Sequence, residues 1–187
     1  VRVSVGDHGD GDPDGPVIGA RDLGRPGAGL RELGGYRARS GAPLPWGRWF
    51  VARDLGAVAG PDRDALRALG LPETCPAVTG RTRRAADART LRAAADGGAT
   101  WIRCRATDGD RPVVLALTAA GVPRETVAAA VLALQAAEGR PVDRRAVDAP
   151  LERIDRRFGS FSRYLRVGLG LGPATVARLR AVAAVRA

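Results

Sequence analysis

From Val113 onward the apolar positions recur at helical spacing, and four helices follow from them. Val113 to Ala120 is an apolar run expected to pack on all sides, and Gly121-Val-Pro123 breaks it. Arg124 to Glu138 is amphipathic, with Val127, Val131 and Leu134 at i, i+4 and i+7. Asp148 offers an N-cap for a helix bearing Leu151, Ile154 and Phe158. Gly172-Pro173 starts a last helix with Val176, Leu179 and Val182. Upstream the pattern is sparser. Trp101-Ile-Arg-Cys104 reads as a short buried strand, and the aromatic cluster Trp46, Trp49, Phe50 as part of a strand pair on the core. Asp62 to Leu69 predicts a short helix stopped by Gly70. Thr82 to Ala95 predicts an Ala- and Arg-rich one whose single large aliphatic, Leu91, argues against deep burial. A weak strand is expected around Ala77-Val78. The pattern predicts an α/β fold, with a short sheet flanked by helices and a helical carboxy-terminal half.

Residues 1–29, rich in Gly, Asp and Pro, read as a loosely ordered lead-in to one domain over 30–187. The lead-in contains Asp10-Gly-Asp-Pro-Asp-Gly15, the opening of a calcium loop, but the closing position is Arg21 where a bidentate Glu belongs. No metal site is expected there.

The strand at Cys104 and the helix after Arg111 enclose a turn, and strand–loop–helix is a geometry that aims backbone N–H groups and a helix dipole at one point. Cys104 ends the strand and Arg111 opens the helix, with Pro112 beside it, where a missing N–H costs nothing. A thiol in such a field is partly thiolate, and a guanidinium can clamp two phosphate oxygens. Cys104 and Arg111 are therefore candidate catalytic residues. Arg105, Ala106, Thr107, Asp108 and Gly109 form the candidate phosphate cradle.

Charge and composition narrow the partners. The formal net charge is +10, and all 30 basic residues are arginine, with no lysine. The arginines are spread along the chain and only 4% of residues are aromatic, which offers no basic, base-stacking surface, so no nucleic-acid partner is expected. The even spread also fits a GC-rich codon bias. No apolar run is long enough for a membrane span, no signal peptide is visible, and a cytoplasmic protein is expected. Two cysteines, Cys75 and Cys104, are too few for a disulfide framework, and Cys75 reads as structural. The single histidine, His8, lies in the lead-in, which argues against a Ser-His-Asp or Cys-His enzyme. No cofactor is implied.

Three stretches together resemble the bacterial tyrosine phosphatases of the branch that includes a secreted mycobacterial lipid and protein phosphatase. Leu30-Arg-Glu-Leu-Gly-Gly-Tyr36 resembles the family's Arg-Asp-Leu-Gly-Gly-Tyr signature, and Trp46-Gly-Arg-Trp-Phe50 the element after it. Cys104 to Arg111 lies where the family has its Cys-to-Arg loop, and Ala120-Gly-Val-Pro-Arg-Glu125 matches what comes next. Ile154 to Leu171, with Gly-Ser-Phe and Tyr-Leu-Arg, is similar to the family's tail. The resemblance implies a cysteine-phosphatase-like fold and hydrolysis of a phosphate monoester through a phosphocysteine, the ester being a phosphotyrosine, a phosphoinositide or a small phosphorylated metabolite. Cys104 would be the nucleophile, Arg111 the clamp and Asp110 the general acid. Family loops separate Cys and Arg by five residues, whereas six intervene here. The residue before Cys is Arg103 rather than His, and Thr-Gly after Arg has become Pro112-Val113. Three functions follow: a divergent phosphatase, a pseudophosphatase binding a phosphorylated or other anionic ligand, and a binding domain whose cysteine is merely buried.

Overall fold

The computed structural model describes residues 20–23, 29–58, 61–72, 82–105 and 109–182. Four strands, β1 (Ala20–Asp22), β2 (Leu30–Leu33), β3 (Trp49–Ala52) and β4 (Thr100–Arg103), form one sheet in the order β1-β2-β3-β4. β1–β2 and β2–β3 are antiparallel, while β3–β4 is parallel. A parallel pair needs a crossover, and here it contains α1 (Pro61–Ala68) and α2 (Arg83–Ala95). β1 falls within the stretch expected to be a loose lead-in. Three residues held at a sheet edge by backbone bonds leave no hydrophobic alternation to read. The calcium-like Asp10–Gly15, His8 and the expected weak strand at Ala77-Val78 lie outside the described residues.

Both faces of the sheet are covered, so every residue of β3 and β4 is buried. On one face Leu33, Trp49, Val51 and Ile102 join the main core with the helices. On the other, Leu30, Phe50, Ala52 and Trp101 pack against Val58, Leu66 and Leu71. Phe50 pairs with Trp101, yet Val51 pairs with Arg103, which makes Ile102 an extra residue in β4. Such a bulge reverses which face the following side chains meet. Trp101 and Cys104, three apart, consequently share the smaller core.

The remaining helices are α3 (Arg111–Ala119), α4 (Arg124–Ala137), α5 (Arg145–Phe158), the short α6 (Phe161–Arg163) and α7 (Pro173–Ala181). α3 is the central one, with Val113 through Leu117 all buried. α2 lies deeper than its composition suggests: Ala88, Leu91, Ala94 and Ala95 are buried, because an alanine face allows close approach to β4, α3 and α7. Thr82 caps α2 by accepting from Ala85 N–H at 3.2 Å. α5 starts three residues before Asp148, whose carboxylate accepts from Arg124 and Arg144 instead of capping. Gly159, at φ 75°, closes α5, and a single π turn over Tyr164–Gly168 leads toward α7.

Candidate functional site

The expected strand–loop–helix is present: β4 ends at Arg103 and α3 begins at Arg111. Gly109 adopts φ 68°, a left-handed turn natural to glycine, just ahead of the helix. Beneath the loop lies a buried ion cluster. Arg103 is fully buried, donating from Nη1 to Asp110 Oδ1 at 3.2 Å and to Glu138 Oε2 at 3.1 Å, and from Nη2 to Glu138 Oε1. Asp110 also accepts from Gln135 Nε2 at 2.8 Å and from both Nη groups of Arg140. The end of β4, the start of α3 and the end of α4 are tied together by charge-assisted hydrogen bonds.

Arg111 turns away from this cluster toward α2. Its Nε and Nη2 donate to Asp87 Oδ2 at 3.1 and 2.9 Å, and Nη2 also donates to the Tyr164 hydroxyl at 3.0 Å. That hydroxyl donates in turn to Asp87 Oδ2 at 2.7 Å. Burial acts to lower the Arg111 pKa, but the hydrogen bond and charge of Asp87 outweigh it and hold it above the usual range. Burial first, then Asp87, raises the Tyr164 phenol, against the opposing charge of Arg111. The guanidinium is thus permanently charged and fixed in place.

Over these groups opens a cleft of about 510 Å³. The first turns of three helices reach it: Arg83 and Ala86 of α2, Arg111 and Pro112 of α3, Arg145 and Ala146 of α5. Asp110 does not cap α3 with its side chain, so the positive end of that helix faces the cleft. Two carboxylates line it, and both are already neutralised, Asp87 by Arg111 and Asp110 by Arg103 and Arg140. Arg83, Arg145 and Arg153 form no ion pair among the described residues and leave the cleft with an excess of positive charge. An anion is the ligand this arrangement favours.

The sequence-predicted residues divide. Gly109, Asp110 and Arg111 line this cleft together. Ala106, Thr107 and Asp108 lie outside the described residues. Arg105 is exposed and pairs through its backbone with Asp54. Cys104 is buried, 1% exposed, in the smaller core on the opposite face of the sheet, and it is disulfide-bonded. The other cysteine of the sequence, Cys75, lies outside the described residues. Counting cysteines gave no reason to expect a disulfide, and the bulge at Ile102 accounts for the thiol's side of the sheet. Asp110 has both carboxylate oxygens engaged, Oδ1 by Arg103 and Arg140 and Oδ2 by Gln135.

No protein-family model matches the chain, and no curated protein is significantly similar to it. Among the described residues no His, Cys, Asp and Glu side chains gather as a metal site, and no helix is long and apolar enough to cross a membrane.

Sequence reasoning missed Asp87, Tyr164, Arg83, Arg145 and Arg153. One signal was legible for the last two: Arg145, Arg153 and Arg157 repeat at multiples of four along α5, which puts them on one helical face. Asp87 in an alanine-rich helix gives no such signal.

Proposed function

We propose that this chain is a phosphatase-like protein that binds a phosphorylated ligand in the arginine-lined cleft at the start of α3, without hydrolysing it through Cys104. The observation that carries the reading is the separation of the two groups that hydrolysis needs at one phosphorus. Arg111 lines the cleft, whereas Cys104 is disulfide-bonded in the core on the other face of the sheet. A nucleophile must come within about 3–3.5 Å of the reacting atom, and a sulfur already bonded to sulfur is no thiolate. What is left is an electrostatic cradle: Arg83, Arg145 and Arg153 beside a helix N-terminus. That matches the charge of a phosphate monoester, and the strand–loop–helix that frames it is consistent with a cysteine-phosphatase-like fold. Since disulfides persist mainly in oxidising compartments, the bond at Cys104 also favours such a compartment over the cytoplasm.

Two measurements test the reading. Calorimetric titration with inorganic phosphate should detect binding, and Arg145→Gln with Arg153→Gln should weaken it by at least about tenfold, the value of one lost charge-assisted hydrogen bond. In parallel, para-nitrophenyl phosphate should be turned over no faster than in buffer, with or without reductant. A rate that appears on reduction and disappears in Cys104→Ser would overturn the binding reading in favour of phosphocysteine hydrolysis.

A further inference from the structure

Beside the cleft at α3 lies a second hollow of about 200 Å³. It shares Arg83, Arg111, Arg153 and the Arg111-paired Asp87 with the larger cleft and adds Arg84, Arg157 and the Phe158 ring. The Cζ atoms of Arg84 and Arg157 stand 5.6 and 5.8 Å from the centroid of that ring. Two guanidiniums are therefore gathered at one aromatic side chain, and neither forms an ion pair among the described residues. The other edge of α5 behaves differently. There Arg144 pairs with Glu125 and Asp148, and Arg156 with Glu152. On α5 the arginines without a carboxylate partner among the described residues, Arg145, Arg153 and Arg157, are those lining the two joined hollows, and like charges held together without a counter-ion are stabilised by an anion that enters between them.

The spacing along α5 sets the shape of that anion. The larger cleft lies between Arg145 and Arg153, around Ala149, and the smaller one between Arg153 and Arg157. Their centres are six to seven residues apart along the helix, which at 1.5 Å per residue is about 10 Å. Resting on the reading of the larger cleft as a phosphate site, we propose that the joined groove takes a ligand with two phosphate groups held about 10 Å apart by an uncharged spacer. One phosphate lies at the start of α3 between Arg83, Arg145 and Arg153. The second lies between Arg84 and Arg157, with the spacer along Phe158.

The test uses the full chain and three probes: inorganic phosphate, a bisphosphate with a two-carbon spacer, and a bisphosphate with a straight six-carbon spacer. The long bisphosphate should bind at least about tenfold more tightly than the short one, because its second phosphate engages as a tethered group. The double variant Arg84→Gln, Arg157→Gln should abolish that advantage, with circular dichroism showing it folded. Equal affinity of the two bisphosphates for the wild type, or an advantage that survives in the double variant, would overturn the inference while leaving the single-phosphate site standing. Failure of inorganic phosphate and of both bisphosphates to bind would remove the underlying site, and this inference with it.

Discussion

Arg111 and Asp87 are joined by three hydrogen bonds, at 3.4, 3.1 and 2.9 Å, so the residue at the head of α3 is oriented by α2 and not by the loop before it. The Tyr164 hydroxyl closes the arrangement, accepting from Arg111 and donating to Asp87. A guanidinium fixed in this way cannot swing to meet a ligand. It supplies charge at the cleft wall, and Arg83, Arg145 and Arg153 supply guanidiniums that form no ion pair among the described residues.

Removing that hydroxyl should be costly. Tyr164 is buried and its oxygen bonds two charged groups, so Tyr164→Phe should lower stability by about 2 kcal/mol, within the range for hydrogen bonds to ions. Urea denaturation gives the number directly. An unchanged midpoint would mean that water satisfies Arg111 and Asp87 equally well.

The cluster under the loop makes a larger demand. Arg103→Ala leaves Glu138 and Asp110 buried with Arg140 as their remaining cation. Breaking a buried pair by removing one partner costs about 3–5 kcal/mol, so this variant should be among the most destabilised single substitutions in the chain. Arg103→Met paired with Glu138→Leu should recover much of the loss, since an apolar pair of similar volume avoids the buried charge. The comparison is a difference in urea midpoint among the three proteins, and a double variant no better than Arg103→Ala would contradict it.

Much of this fold was legible because helices announce themselves over many residues. The apolar spacing from Val113 to Val182 located α3, α4 and α7 to within about two residues, and placed the start of α5 four residues late, with Asp148 expected as the N-cap where Arg144 stands. The site was less legible for a local reason. One extra residue at Ile102 is invisible in a four-residue strand, yet it moves Cys104 to the face opposite the cleft. The expected alignment of Cys104 with Arg111 assumed an unbroken strand. Asp110 was expected as a general acid, but the residues around it, Gln135, Glu138 and Arg140, lie far along the chain, and no local pattern links them to it.

Gly34 tests a close approach in the Gly-Gly-Tyr stretch. A Cβ built there would lie 2.4 Å from two carbons of the Trp46 ring. Gly34→Ala should therefore push the indole out of place and cost about 1–3 kcal/mol, as overpacking does in a filled core. The readouts are the thermal midpoint and the shift in tryptophan emission, and a variant as stable as wild type would show that the indole has room to move.

Alkaline pH offers an assignment that the composition makes unusually clean. The chain has no lysine and only two tyrosines, Tyr36 and Tyr164, and arginine keeps its proton throughout. Burial pushes the Tyr36 phenol up from 10.0 to about 12, against the opposing charge of Arg31, and the hydroxyl has no hydrogen-bond partner among the described residues. In the unfolded chain the phenol ionises near 10, whereas in the folded protein it holds its proton until about 12. Between those values the unfolded state binds fewer protons, so stability is fully present below pH 10 and falls as pH rises toward 12. Two pKa units correspond to a loss of at most about 3 kcal/mol from this residue, and Tyr164, raised in the same direction, adds to the slope. Tyr36→Phe should flatten part of that slope. Near neutral pH the same variant should be as stable as wild type or more stable by about 1 kcal/mol, since it removes a buried oxygen without a hydrogen-bond partner among the described residues. Urea midpoints measured at about pH 8, 10 and 11.5 on both proteins decide the matter. Parallel curves would mean that Tyr36 reaches water before it ionises.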